Sequence, residues 1–396
     1  MKAHHYILFV ISIAFILSPV IFFPPSEIQT KYMTEGIAIL QGNFQSLHNT
    51  SDLSLLSKIV YGGIGIISNT NSFTARIIEF FIHLLTAIAL FFLVKKYLTK
   101  SKAILASIIY VLSIVLLNYK FSFQIEPLSN ILIIALIALH LKRDNINSEG
   151  HINTNYSLGN YLSLLLEGLI IGLILFLKFN FVFLIIGILA YDIFFLNINW
   201  QKIIKKYGPI LAGFIIFAAL YLFILKVEKF PNAIASLFQS LTIPHISFTF
   251  IRDFLKDFAK FLAYIYSVLF IIALFYSILN WLKNLENYSK DIKSMRLFGI
   301  SFYLAIAIIL SFVLYQDFQF NHIASLFIPF CILISDGLVE IYHKFINVWG
   351  ISKFSYKFVL VMFVCFLLLF SPLHFWIYYM QYPFIYLIFH NYAVLI

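Results

Sequence analysis

The chain has 396 residues, 62% hydrophobic and 11% charged, with a mean hydropathy of +0.95. Soluble globular domains carry about 25% charged residues, so this composition excludes a soluble enzyme. Short alternating segments of the β-barrel kind are also missing from it. The formal charge of +10 reads as the basic bias of cytoplasmic loops in a membrane protein and not as a nucleic-acid surface.

Apolar runs of about 18 residues read as spanning helices. In chain order they fall at about 6–23, 74–94, 103–117, 125–141, 161–178, 179–196, 209–226, 259–282, 298–315, 322–342 and 358–379. The fold class is therefore all-α, a polytopic membrane protein of about eleven transmembrane helices in one membrane domain. The first run ends in Phe-Phe-Pro-Pro without a small-residue cleavage site, so it reads as a retained helix and not a signal peptide. Run 161–196 breaks around Lys178-Phe179-Asn180, as in a helical hairpin. Most of the 27 Lys and Arg residues fall in alternate connections, around Lys95-Lys96, Lys142-Arg143, Lys205-Lys206, Lys293 and Lys344. The positive-inside rule then places the N-terminus in the cytoplasm and the first connection, residues 24–73, outside. The host membrane reads as a bacterial cytoplasmic membrane. Cys331 and Cys365 both lie in apolar runs and imply neither a disulfide framework nor a zinc site.

The first connection is the longest and most polar. Ile28, Tyr32, Ile39 and Leu40 suit one face of a helix closing at Gly42. Leu53, Leu56, Ile59 and Val60 suit a second helix, opened by Asp52 and closed by Gly62-Gly63. Two amphipathic helices lying on the outer membrane surface are expected. A third surface helix is expected in residues 227–257. The polar inner loop 143–159 is expected to be mobile.

Charged groups in a membrane are costly and mark function by default. Glu27, Glu35, Arg76, Glu79, Lys120, Glu126, Lys178, Asp317 and His322 all fall at or near the outer ends of the runs. Arg76, Glu79 and His83 are spaced i, i+3, i+7 and share one helix face. That face either lines a cavity opening outward, or Arg76 and Glu79 pair and anchor the helix end. Glu126 precedes Pro127 at a helix start, where the dipole favours an acid. Lys178 either meets an anion or extends its charge to the interface. His322 at a helix start is a structural residue or a ligand. No phosphate-binding loop, H-E-x-x-H or G-x-S-x-G motif occurs, which argues against an ATP-driven pump.

Four segments in this order carry a resemblance. They are PPSEIQTKYMTEGIAILQGN after the first run, the Arg-led second run FTARIIEFFIHLLTAIALFFLVKKYL, Glu126 opening the fourth, and EGLIIGLILFLK closing the fifth on Lys178. Over residues 6–195, with a weaker echo at 320–342, the chain resembles the GT-C glycosyltransferases, close to the dolichyl-phosphate-mannose protein mannosyltransferase-like superfamily. The resemblance implies transfer of a sugar from a polyprenyl-phosphate donor to a glycan, lipid or protein acceptor at the outer face of the bilayer. Glu27 is then the first choice of general base and Glu35 the second, with Glu126 a further catalytic acid. Arg76 and Lys178, supported by Lys120 and His322, would meet the departing phosphate, and Glu79 and His83 would support them. No cofactor is required, although Glu126 suits a divalent metal. A transporter or flippase for a lipid-linked substrate, with charges at the midplane and broken helices, and a polysaccharide polymerase or ligase are the competing readings. The outer-edge gathering of charges favours the enzyme.

The topology has a direct test. Cysteines placed at Ser46 and Ser148 should react with a membrane-impermeant reagent from opposite faces of the bilayer. Labelling of both from one face overturns the assignment.

Overall fold

A computed structural model describes residues 3–22, 27–42, 55–120, 126–143, 158–177, 182–195, 200–224, 248–265, 268–284, 292–315 and 324–349. The described residues are helical almost throughout, with no strand. The α-helices are α1 (Ala3–Leu17), α2 (Glu27–Leu40), α3 (Leu55–Ile67), α4 (Ser72–Tyr97), α5 (Lys100–Lys120), α6 (Glu126–Arg143) and α7 (Leu158–Leu177). They continue as α8 (Val182–Ala190), α9 (Trp200–Ile224), α10 (Phe248–Ile265), α11 (Val268–Asn284), α12 (Ile292–Tyr315) and α13 (Phe327–Trp349). A 3₁₀ turn, Ser18–Phe22, extends α1, and a π turn, Tyr191–Phe195, extends α8.

Seven of these helical segments are long and apolar enough to cross a membrane. They are His4–Phe22, Phe73–Tyr97, Lys100–Leu117, Gly159–Leu177, Ile204–Tyr221, Lys293–Val313 and Ala324–Lys344. The chain is thus an integral membrane protein by length and composition of its helices. Three expected spans differ. Those at 125–141 and 179–196 contain the shorter apolar helices Ser129–Lys142 and Phe183–Phe195. Run 259–282 is described as parts of α10 and α11, and Arg252, Asp253, Lys256 and Asp257 make α10 amphipathic. Arg252, Asp253, Leu255 and Lys256 are exposed there, whereas Phe254 is buried and stacks between Phe250 and Phe258. Within 227–257 the described residues, from Phe248 on, are helical. The expected span 358–379 and the inner loop 143–159, apart from its flanks, lie outside the described residues.

One large core joins α1 and α4 to α13, with Ile13, Phe91, Tyr110, Ile137, Tyr191, Leu304 and Phe327 among its buried members. Helices α4 and α5 run antiparallel: His83 meets Tyr110, and the Ser107 hydroxyl reaches the Ala87 carbonyl. Helices α7 and α9 run in the same direction, since Gly172 meets Phe217 and Phe176 meets Tyr221. Their backbones touch at two glycines. A Cβ on Gly168 would lie 1.9 Å from the Ile210 oxygen, and one on Gly213 2.1 Å from the Leu165 oxygen. Small residues at such crossings are a common device for joining helices in lipid.

A second, small core holds the first connection. Met33, Tyr61, Ile64, Ala75 and Leu177 bring α2, α3, α4 and α7 together. Helix α2 closes as expected, with Gly42 at φ +86° and its N–H on Ile39. Its inward stripe is Gln29, Met33, Gly36 and Ile39, spaced i, i+4, i+7, i+10. Helix α3 departs from expectation. It runs through Gly62-Gly63 to Ile67, and it buries Ser57, Lys58, Tyr61 and Ile64 while Leu56, Ile59 and Val60 are only half-buried. The reason is the crossing with α2. A Cβ on Gly36 would sit 1.8 Å from the Lys58 oxygen, and one on Gly62 2.3 Å from the Gly36 carbonyl carbon. Gly62 is thus a packing residue and not a terminator, and the two helices form a hairpin packed on α4 and α7.

Gly36→Ala should lower the thermal stability of the detergent-solubilised protein by about 1–3 kcal/mol, because backbone cannot yield as a side chain can. Gly63, where an added methyl would meet nothing within 4 Å, is the control: Gly63→Ala should be neutral or stabilising by up to ~1 kcal/mol. Equal destabilisation by both would contradict the packing role.

Candidate functional site

The site grows from the entry into α4. Asn69 and Thr70 take left-handed backbone, φ +51° and +61°, and reverse the chain after α3. That conformation is uncommon outside glycine and costly for a β-branched residue such as Thr70. Asn71 then caps α4, its side-chain oxygen accepting from the Phe73 and Thr74 N–H groups at 2.9 and 3.3 Å. This start places Arg76 and Glu79 in the first two turns.

Arg76 and Glu79 are both buried and pair at 2.7 Å. The Gln29 amide of α2 donates to the other Glu79 oxygen at 2.8 Å. His83, one turn deeper, is fully buried with its Nδ1 3.0 Å from the Tyr110 hydroxyl. Thr86, further along the same face, donates its hydroxyl to the Ile82 carbonyl at 2.7 Å. Arg76, Glu79, His83 and Thr86 therefore form one buried polar stripe on α4, as the spacing of the first three predicted. Arg76 and Glu79 do pair, as the second alternative has it, and the pair is buried. Glu79 neutralises Arg76, so an anion arriving here competes with that carboxylate for the guanidinium.

The hairpin adds a second ion pair. Glu35 of α2 meets Lys58 of α3 at 2.8 Å and Lys31 at 3.9 Å. Lys58 is almost wholly buried, its amine 6.0 Å above the Tyr32 ring. Ser57 beside it donates to the Leu177 carbonyl at 2.7 Å. That bond fastens the hairpin to the last residue of α7, directly before Lys178.

Of the expected residues, Glu35, Arg76, Glu79 and His83 thus lie on or next to the hairpin–α4 junction. Glu27 opens α2 and Glu126 opens α6, while Lys120 ends α5. The side chains of these three, together with Lys178, His322, Asp317 and Asp52, lie outside the described residues. Among the described residues no group of three or more His, Cys, Asp or Glu side chains is placed to hold a metal.

Sequence reading missed two buried clusters elsewhere. Lys102 of α5 binds Asp336 and Glu340 of α13 at 2.6 and 2.8 Å, and Ser277 of α11 donates to Asp336 at 3.0 Å. His140, Glu167, Asp192 and Lys206 join α6, α7, α8 and α9. The gathering of charge at the outer edge is therefore only part of the pattern. The signal was present, since Glu167 stands in LLLEGLIIG, Asp192 in LAYDIFF and Asp336 in LISDGLV, and an acid within an apolar run is a functional candidate wherever it falls.

Removing one partner of a buried ion pair strands the other charge, at a cost of about 3–5 kcal/mol. Glu79→Ala should therefore destabilise by that amount, and the double variant Arg76→Met, Glu79→Leu by less, as read from thermal unfolding in detergent. A double variant at least as unstable as the sum of its singles would show that the pair is not coupled. Comparison of the whole chain with protein-family models, with characterised sequences and with solved structures finds no match.

Proposed function

We propose that this chain is a membrane glycosyltransferase of the GT-C kind, moving a sugar from a polyprenyl-phosphate-linked donor to a glycan, lipid or protein acceptor. In this reading the chain crosses the membrane about eleven times, with its N-terminus cytoplasmic and residues 24–73 on the extracytoplasmic side. The observation that carries it is the docking of the first polar connection onto the start of α4, with the Gln29–Glu79 bond at its centre. That docking groups carboxylates, cations and a histidine at one end of an apolar bundle. A lipid-borne phosphosugar presents its reacting carbon at such a depth.

The chemistry follows from the residues. Glu27 stands two residues before Gln29 on the same helix. Its carboxylate takes the proton of the acceptor hydroxyl. The acceptor oxygen forms the new bond to the anomeric carbon while the bond from that carbon to the phosphate oxygen breaks, inverting the centre. The phosphate leaves with the bonding pair and needs positive charge. Arg76 supplies it once Glu79 yields, and Lys178, adjacent to Leu177 at the foot of the hairpin, supplies the second cation. Glu35, held by buried Lys58, is a poorer base than Glu27 because its charge is already paired.

One observation favours a second reading, a transporter for a lipid-linked substrate. Helix α8 runs into a π turn beside a buried charged cluster, and transporters place their binding charges at irregular helix segments. The two readings separate cleanly, because a transporter moves its substrate between leaflets without cleaving it.

Purified protein should release polyprenyl phosphate from at least one of a panel of polyprenyl-phosphate sugars. Glu27→Gln should cut that release by about 10²–10⁴-fold with donor binding kept. Near-normal release by folded Glu27→Gln removes Glu27 as base. Transbilayer movement without release, on any sugar tested, replaces the transferase by the transporter.

A further inference from the structure

Four helices converge on His140. Its Nδ1 lies 2.7 Å from Glu167 Oε1 of α7, and its Nε2 lies 3.1 Å from Asp192 Oδ1 of α8. Lys206 of α9 meets the other Asp192 oxygen at 2.5 Å, and the Tyr207 hydroxyl donates to that same oxygen at 2.9 Å. His140, Glu167, Asp192 and Lys206 are all buried, whereas Tyr207 is only half-buried and Ile204 and Lys205 before it are exposed.

Proton counting makes the arrangement informative. An ionised carboxylate only accepts, and a neutral imidazole carries one N–H. Both contacts to His140 are hydrogen bonds only when His140, Glu167 and Asp192 together hold at least two protons. With those two protons and the Lys206 ammonium the four groups sum to zero charge, the state that a low-dielectric site favours. With one proton fewer, an imidazole lone pair faces a carboxylate across 2.7 or 3.1 Å. The second proton is therefore the one that can come and go.

The backbone is suited to such a change. Asp192 lies in the π turn Tyr191–Phe195, and single π turns are frequent at functional sites. Glu167 stands midway along α7, so the groups form a line from the exposed start of α9 to the centre of the bundle. Among the described residues, few other groups face His140. Tyr191 lies edge-on with its centroid 5.8 Å away and packs in turn against Tyr303. Arg296 of α12 donates to the Leu141 carbonyl at 3.2 Å, one residue along α6. Lys142, the next basic group on α6, is exposed.

We propose that His140, Glu167, Asp192 and Lys206 form a reversible proton-binding site, loaded from water through Tyr207 and Asp192. In the unloaded state His140 donates from Nδ1 to Glu167 and its Nε2 is bare. One proton from water passes along Tyr207 and Asp192 and bonds to Nε2, giving an imidazolium between two carboxylates. The Nδ1–H bond can then break as an O–H bond forms on Glu167. That leaves a neutral imidazole donating from Nε2 and places the proton at mid-bundle. Lys206 keeps its charge throughout and balances Asp192. The site is separate from the hairpin–α4 junction and does not depend on the sugar-transfer reading.

The test is nitrogen magnetic resonance of the full chain in lipid nanodiscs, with ¹⁵N-labelled histidine, titrated from about pH 8 to about pH 5. One histidine, missing from His140→Gln, should convert from bare to protonated Nε2. Asp192→Asn should move that conversion to lower pH, and Lys206→Met to higher pH, each by about one unit or more. Should His140→Gln fail to fold, the opposite shifts of one signal in the other two variants identify it. A His140 Nε2 that keeps one protonation state across the range, or a transition that neither neighbour moves, overturns the proposal and leaves a fixed structural network.

Discussion

Glu79 is held from two sides, by the Arg76 guanidinium of its own helix and by the Gln29 amide of the hairpin. This arrangement decides how the first polar segment meets the bundle. A carboxylate drawn out of water needs donors for its lone pairs, and α4 alone supplies one of them. The second has to come from another helix. The hairpin is therefore fastened by an electrostatic requirement as well as by the small core of Met33, Tyr61, Ile64, Ala75 and Leu177. The same requirement recurs at Lys102 with Asp336 and Glu340, and at His140 with Glu167 and Asp192. In each case charges from different helices meet inside the bundle and define which helices are neighbours.

Close backbone approach works alongside these pairs. Within lipid, apolar side chains gain little by leaving one hydrocarbon surface for another, so packing and hydrogen bonds hold helices together. Gly36 against Gly62 lets Glu35 of α2 reach Lys58 of α3, and Gly168 against α9 brings Glu167 and Lys206 into one region. Glycines and charges thus act as a unit: one sets the helix separation that the other needs.

A functional consequence follows from the distribution of charge. The hairpin–α4 junction brings together the ion pairs Arg76–Glu79 and Lys58–Glu35. The network around His140 lies elsewhere and carries a proton count that can change. The sugar transfer proposed for this chain, by direct displacement, needs no such device, so the proposed proton site stands apart from it.

Much of the architecture was legible in the residues. Apolar runs announced helices because the hydrocarbon core of a bilayer admits no unsatisfied backbone, and the described helices follow those runs closely. The 3.6-residue period placed Arg76, Glu79 and His83 on one face before any partner was known. Gly42 marked the end of α2 because the helix closes there with a positive φ. Other features depended on residues distant in the chain. Gly62-Gly63 reads as a helix end in isolation, and only the crossing with Gly36 makes Gly62 a contact. Lys58 is buried in a pair with Glu35 of another helix, which its own stretch of sequence does not announce. Glu167, His140 and Asp192 are each a lone polar residue in an apolar run, and pairing is a property of two helices and not of one. Local composition and period were enough to tell that the described segments are helical and that seven of them suit a membrane. Which charges neutralise one another was settled by the packing of the helices, because it depends on distances between segments that no local pattern records.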